Sequence, residues 1–506
     1  MIPGLSHQEY AAFDFFRTRT ATKLPGIFSS DFWETLVFQL SLREPAVLHA
    51  VIALAATHRR AIALGHTQRP ALSRDLELND SNERLALQQF NKAVTHLRHL
   101  EKRDRQSLRI TLVSCMIFIC IELLKGEVGA SQAHFQSGLK LLREIQPNGA
   151  EASAMVQPLP DSTDDHLAEA FIRLNIQSSI VGEGPDHNYT AGLSTRCGSE
   201  PQIPLIFDSL SSARRHLDHI FQEIHGLSAE AKQLTLERAG IPSQLTLQRE
   251  RLQLSLKLWL RTFSSSIPRI DALQTERSDR IALGVPLLRL HHAMGSVNVA
   301  TCLRYGDEMA FDSYTTDFSS ILEQAIDLWN KISYLLPVPP LLPPSDHLSF
   351  TVDMGFIPPL YFTALKCRVP QFRRLAINFL ASAPHREGIW DGPVAAAIAC
   401  RVMEIEEGNF YSDAGIEFSR VSPLSGTNPP SLHSDDSPLV PDANRVNYVN
   451  VTLPEPGTGE RVVLICKRYR HGKNEQKGVW EEERFEVDGT KSRPGEQETH
   501  NLSCAW

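Results

Sequence analysis

The prolines between Asp353 and Asp391 (DMGFIPPLYFTALKCRVPQFRRLAINFLASAPHREGIWD) limit the fold more than any other feature of the chain. Proline fixes φ and lacks the N–H that a helix interior requires. Pro358, Pro359, Pro370 and Pro384 therefore cut the stretch into two helix-length pieces. Each piece carries apolar residues at helical spacing, and the stretch ends in Glu387-Gly388-Ile389-Trp390-Asp391. The same period runs through most of the chain before Gly408, which predicts an all-α class: a large multi-helix domain of helical hairpins.

Ser6 and Glu9 form a capping-box pattern that opens a helix with Tyr10, Phe13 and Phe16 on one side, closed by Leu24-Pro25-Gly26. Ser30 or Asp31 caps a second helix containing Phe32, Trp33, Leu36, Val37 and Leu40. Pro45 fits the first turn of a third, AVLHAVIALAATHRRAIAL, which is apolar nearly all round and so belongs at the centre. After a polar connector over 66–81, helices are expected at 82–100, 108–125 and 130–145. Short connections make these antiparallel neighbours, and the small residues Ala133, Ser137 and Gly138 let a facing helix approach. A loop follows over 146–165. Further helices are predicted at 165–181, 208–225, 245–264, 276–304, 312–335, 358–381 and 391–407, with an extended proline run at 337–344.

Composition changes after Gly408. Residues 409–444 read as a linker, disordered over the Ser-, Pro- and Asp-rich part from Val421 to Asn444. RVNYVNVTL and RVVLICKRY flank PEPGTGE, which predicts a hairpin joined by the segment around Trp480. This gives a small β-prone appendage over 445–490 and an unstructured tail over 491–506.

With 51 basic against 59 acidic residues the net charge is −8, a balance that does not draw in a phosphate backbone. The N-terminus lacks the pattern of a secretory signal, and Ile110–Leu124 reads as too short and too polar to cross a bilayer, so a soluble intracellular chain without membrane contact is expected. Eight cysteines are scattered without a C-x-x-C pair, as reduced thiols would be. The chain has no G-x-S-x-G, H-E-x-x-H, P-loop or kinase motif, and Gly182-Glu183-Gly184 lacks the third glycine of a dinucleotide fingerprint. No enzyme is expected.

Five segments carry a family likeness in a consistent order: FWETLVFQLSLREPAVLHAVIALAATH (32–58), 86–97 with 118–142, 167–182, 203–217, and 353–391. Together they resemble the fungal-specific transcription factor domain of the Zn(2)-Cys(6), or C6 zinc cluster, family, from about residue 6 to about residue 408. The family-motif positions are Glu122, Gly126, His134, Gly138, Arg373, Arg374, Glu387, Gly388, Trp390 and Asp391. The resemblance implies a nuclear regulator of RNA polymerase II genes, controlling a metabolic or secondary-metabolite gene set through a helical domain that takes a partner or a small effector. Family members usually begin with six cysteines holding two zinc ions, an arrangement not found here. No cofactor is therefore expected in this chain, and zinc enters only through the family's N-terminal cluster. DNA would be reached indirectly, through the transcription machinery, another zinc-cluster factor or a missing module. The alternative is a non-DNA-binding corepressor or interaction partner of a zinc-cluster factor, and a pathway enzyme ranks last.

Glu122 interrupts an apolar helix next to the Gly126 turn, within reach of His134. The pair reads as a general acid and base or as a polar tie across the hairpin, and the tie is expected because no nucleophile accompanies it. Glu387, Trp390 and Asp391 are expected to seal one helix and start the next, with Asp391 as N-cap. Arg373-Arg374 reads as a nuclear-import patch, an anion site or a helix-surface pair, the last being expected. His96 with His99, and His216 with His219, are spaced for a shared metal but lack further ligands, so solvated helix faces are expected.

Overall fold

The structure is a computed structural model and describes residues 4–65, 73–100, 104–145, 163–181, 203–237, 239–273, 278–335, 349–382, 385–416, 418, 437–452, 462–470 and 479–487. Helix α1 (His7–Phe15) opens on the anticipated capping box. The Glu9 N–H donates to Ser6 Oγ at 3.3 Å, and the Ser6 N–H to the Glu9 carboxylate at 2.8 Å. A π-helical turn, Phe16–Thr20, leads into α2 (Ala21–Lys23). A second π turn, Phe32–Leu36, leads into α3 (Val37–Ser41), and the Trp33 N–H meets Ser30 Oγ at its start.

Helix α4 (Pro45–Gly65) is the central rod, with Ala50 through Ala56 wholly buried. Against it pack α5 (Ser73–Arg98) and α6 (Arg105–Lys125), and α7 (Val128–Ile145) packs in turn on α6. Asp104 caps α6 and Gly126, at φ +86°, closes it in the left-handed conformation that glycine adopts without strain. Contrary to the sequence expectation, the 21 residues of α6 are long and apolar enough to span a membrane by length and composition alone. In this fold its apolar side chains from Ile110 to Leu124 are buried against α4 and α7. The 66–81 connector is also shorter than expected, because α5 begins at Ser73. Arg74, Leu76, Glu77 and Leu78 are good helix formers, and lengthening an established helix costs little compared with nucleating one.

The second half contains α8 (Thr163–Val181), α9 (Leu210–Leu236), α10 (Ser243–Leu273) and α11 (Ser278–Thr301). A 3-10 turn, Glu308–Tyr314, precedes α12 (Thr315–Leu335). Helices α9 and α10 outrun their expected ends, and α10 carries Pro268 without stopping. The two pieces expected from the proline breaks are α13 (Ile357–Lys366) and α14 (Pro370–Ser382), so the span 358–381 is not continuous: Pro370 starts the second helix after an extended Cys367. Three short strands had no signal in the helical pattern: β1 (Ser349–Thr351) runs parallel to β2 (His385–Glu387), which pairs antiparallel with β3 (Trp390–Asp391). Helices α15 (Gly392–Glu407) and α16 (Phe410–Asp413) end this part.

The expected hairpin is a three-stranded antiparallel sheet of β4 (Tyr448–Thr452), β5 (Val462–Arg470) and β6 (Val479–Val487), in which Tyr469 pairs with Trp480. It is embedded in the body. Val446, Val462, Leu464, Cys466 and Val487 join the same core as α9 to α15. The disorder expected over 421–444 fails for its described end, where Val440 is buried and Asp442–Asn444 form a 3-10 turn. The anchor is Arg445, whose guanidinium donates to Val440 O and Glu308 O and pairs with Asp312 at 2.8 Å. The rest of that linker, the 337–344 proline run, the tail after 490 and most of the 146–165 loop lie outside the described residues. Cys115, Cys120, Cys302, Cys367 and Cys466 are buried free thiols, whereas Cys400 is disulfide-bonded, a departure from the all-thiol expectation.

Among the described residues, buried apolar side chains form two cores. One is built on α1 to α8, the other on α9 to α15 and the C-terminal sheet. The seam between them is stitched by α8, which gives Phe171 and Leu174 to the first core and Ile176 to the second, and by Phe350 and Val352, which reach back into the first.

Candidate regulatory site

The 353–391 stretch lies on this seam. The Val352 N–H donates to Leu24 O at 2.8 Å, the Gly388 N–H to Thr351 O at 2.7 Å, and Gln177 Nε2 to Val352 O at 2.7 Å. Glu387 is 1% exposed and accepts from the backbone N–H groups of Gly355, Phe356 and Ile357 at 2.9, 3.0 and 3.1 Å. These donors open α13, where no helical carbonyl is available and the helix dipole favours a negative charge. The expectation for Glu387 is thus corrected: from β2 it serves the start of α13, because the strand pairing turns it toward Gly355. A side chain at Gly355 would stand 2.7 Å from Glu387 Cδ, which explains the glycine. Trp390 is buried edge-on to Tyr361 at 5.0 Å, and Asp391 caps α15 by accepting from the Val394 N–H at 3.2 Å.

Behind this seam, Arg214 pairs with Asp353 at 2.7 Å and Asp218 at 3.6 Å, Arg173 with Asp218 at 3.2 Å, and Arg215 with Glu169. Three guanidinium groups face three carboxylates, so the cluster is balanced. His291 donates from Nε2 to Gly355 O at 2.7 Å. Burial lowers its pKa to about 4, so the ring is neutral at physiological pH and holds its proton on Nε2.

A second ion network joins α13, α14 and α15 to the C-terminal sheet. Arg368 lies between Glu308 at 2.9 Å and Glu406 at 2.8 Å. Arg373 meets the other Glu406 oxygen at 2.7 Å and donates from Nε to Ala364 O, while Arg374 takes both oxygens of Glu407. Lys366 adds a 2.6 Å contact to Glu308, and the Val446 N–H donates to Glu406 at 2.8 Å. Arg373 and Arg374 are 0% and 7% exposed, which overturns the surface-pair expectation and leaves no import patch there. They are buried because adjacent carboxylates at the end of α15 match them in sign and spacing. Burial pushes the Glu406 carboxyl upward, but Arg368 and Arg373 outweigh it and hold the group down at about 2. Beside Glu406 and Glu407 opens a cleft of about 380 Å³, lined also by Ile405, Phe410, Asp413 and Arg468.

The remaining motif residues sit in the α6–α7 hairpin. Glu122 pairs with Lys125 at 3.3 Å on its own helix, and among the described residues no hydrogen bond joins it to His134. His134 lies against Phe118 with ring centroids 5.7 Å apart, and burial lowers its pKa against the upward pull of Glu122. The expected tie is instead made by Cys115 Sγ, which donates to His134 O at 3.0 Å, since the Glu122 carboxylate stays with the nearer ammonium. Gly138 is where the hairpin meets α8: a Cβ there would stand 2.7 Å from Phe171 Cζ and 3.0 Å from Cys115 Sγ. Gly138→Val is expected to cost ~1–3 kcal/mol by overpacking, read as a lower denaturant midpoint. An unchanged midpoint would mean that Phe171 can turn away. His216 and His219 are half-buried with pKa values lowered by burial, not solvated, because Phe207 packs on His216. His96 and His99 are exposed, His96 stacking on His49. Among the described residues no group of three or more His, Cys, Asp or Glu could hold a metal ion.

The fungal specific transcription factor domain matches residues 12–333, well over half of the 506-residue chain. The chain belongs to this family. It is also 24% identical, over 501 aligned residues, to the aspercryptin biosynthesis cluster-specific transcription regulator of Emericella nidulans, an alignment covering 83% of this chain and 77% of the relative. No solved structure matches. As a member of the fungal specific transcription factor domain family, the chain is a transcription regulator. The matched span contains most of the first core, α9 to α11 with nearly all of α12, and the hairpin residues Glu122 to Gly138, while the Glu387 keystone and most of the Arg368–Glu406 network lie beyond it. Sequence reasoning had not singled out Asp353, Glu308, Glu406 or Arg445. Glu406-Glu407 closing an apolar helix was a usable signal for partners of Arg373-Arg374, whereas nothing near Arg445 marks it.

Proposed function

We propose that this chain is the receiving and relaying body of a nuclear regulator that controls a metabolic or secondary-metabolite gene set. Family membership supports the regulatory role, and the Emericella nidulans relative, a biosynthesis cluster-specific regulator, supports the type of target. The observation that carries the relay is the seam: two cores share α8 and the 350–354 segment, which gives Phe350 and Val352 to the first and Met354 to the second, so a shift in one has a packed route to the other. The Glu406 cleft, at about 380 Å³, is of a size to take a small effector. An effector or partner moves such a switch only by binding its two arrangements with different affinity. In this reading residues 6–408 are the regulatory domain, 409–444 its linker and 445–490 its β appendage. DNA is reached through a zinc-cluster partner or a module outside this sequence. The corepressor reading draws on the absence of any C-x-x-C pair and the net charge of −8.

Deleting the locus and profiling messengers tests the proposal. A coordinated change in one biosynthetic gene group is expected, and an unaltered profile would sink it. Salt-titrated binding of the purified chain to promoter DNA from that group separates the two readings. Specific retention places DNA contact in the chain, and a flat null assigns it to a partner.

A further inference from the structure

Helix α10 buries one face through Leu245, Leu252, Leu256, Trp259 and Phe263 and leaves a second apolar row in solvent. Leu247, Leu254 and Leu258 are 55%, 57% and 41% exposed and lie seven and four residues apart, a spacing that aligns them along one side of the helix. Single exposed leucines need no explanation, but a row of three on a rigid, well-packed helix is an anchor pattern for helix-on-helix docking.

Charge identifies what fits. Between Ser243 and Leu273 the helix carries five basic residues (Arg249, Arg251, Lys257, Arg261, Arg269) against Glu250 and Asp271, in a chain whose net charge is −8. Arg249 lies 3.8 Å from Glu250 and Arg269 3.5 Å from Asp208. Lys257 and Arg261 are exposed beside Leu254 and Leu258 and have no ion-pair partner among the described residues. A second copy of this helix fits poorly, since an antiparallel pairing about Leu254 sets Arg251 against Lys257, and like charges in register oppose association.

We propose that the exposed face of α10 docks an acidic amphipathic helix of another protein, its apolar side laid on Leu247, Leu254 and Leu258 and its carboxylates on Lys257 and Arg261. The inference stands on the surface of α10 and does not rest on the regulatory reading; deletion profiling and this binding experiment can fail independently. The probe is a fluorescein-labelled synthetic helix with leucines along one side and flanking glutamates, compared by anisotropy with a twin bearing lysines in place of the glutamates. The acidic probe is expected to bind the intact chain about tenfold or more tighter than its twin, with affinity falling as salt rises. Leu254→Ser with Leu258→Ser weakens it by a similar factor, and Lys257→Glu with Arg261→Glu reverses the preference between the twins. All four side chains are exposed, so circular dichroism and the unfolding midpoint stay at wild-type values. Equal binding of the twins, or indifference to the leucine pair, overturns the proposal. So does a concentration-dependent dimer in sedimentation that Leu254→Ser abolishes, because the occupant would then be a second copy.

Discussion

Replacing Glu406 with alanine is expected to lower the unfolding free energy by ~3–5 kcal/mol, the loss that follows when one member of a buried ion pair is removed and its partner keeps its charge. Here Arg373 is left without a carboxylate, Arg368 keeps only Glu308, and the Val446 N–H loses its acceptor. A typical domain has only about 5–15 kcal/mol in hand, so the variant should unfold at far lower denaturant. A shift worth less than ~1 kcal/mol would mean that water or Glu308 takes over both guanidinium groups, the outcome of an exposed pair. Acid adds a second reading. Glu406 is held at about 2 in the folded chain against an ordinary value of 4.5. Its contribution is therefore complete above pH 4.5 and is lost as pH falls through about 2. Glu406→Gln should lack that part of the acid slope while the rest of the curve remains.

Glu387→Ala is the other large effect. Three N–H groups at the start of α13 lose their acceptor in a buried place, and each orphaned donor costs ~1–3 kcal/mol, so a total of roughly 3–9 kcal/mol is expected. Asp391→Ala provides the scale: it removes one ordinary N-cap contact, worth ~1 kcal/mol. Hydrogen exchange localises the damage, with the amides of Gly355, Phe356 and Ile357 losing protection before those in the middle of α4. If the two variants were equally mild, Glu387 would be a peripheral contact and the seam would be held by the backbone bonds at Leu24 and Thr351.

Helical period exposed most of the fold because it reports burial directly: Pro45, Gly126 and the Ser6–Glu9 box mark ends that the structure keeps. Strands β1 to β3 escaped because two or three residues cannot display a period of two, and because β1 pairs with residues of β2 more than thirty positions away. The ionic pairs at the candidate site escaped for a related reason. A charged residue in a sequence looks solvated until its counterion is placed, and those of Arg373, Arg374 and Arg445 come from other elements. Composition misled at 437–444, where Ser, Pro and Asp imply mobility while a single arginine immediately downstream pins the segment.

The position of that arginine bears on shortened gene products. A frameshift or stop anywhere between Gly408 and Arg445 would spare every residue of the matched family span, yet Asp312 would lose its bidentate counterion and Arg468 and Phe485 would no longer contact α15 at Ile405 and Arg401. Such an allele should behave as a null cleared by proteolysis, so genetic lesions in this weakly patterned region should be as severe as those in the helices.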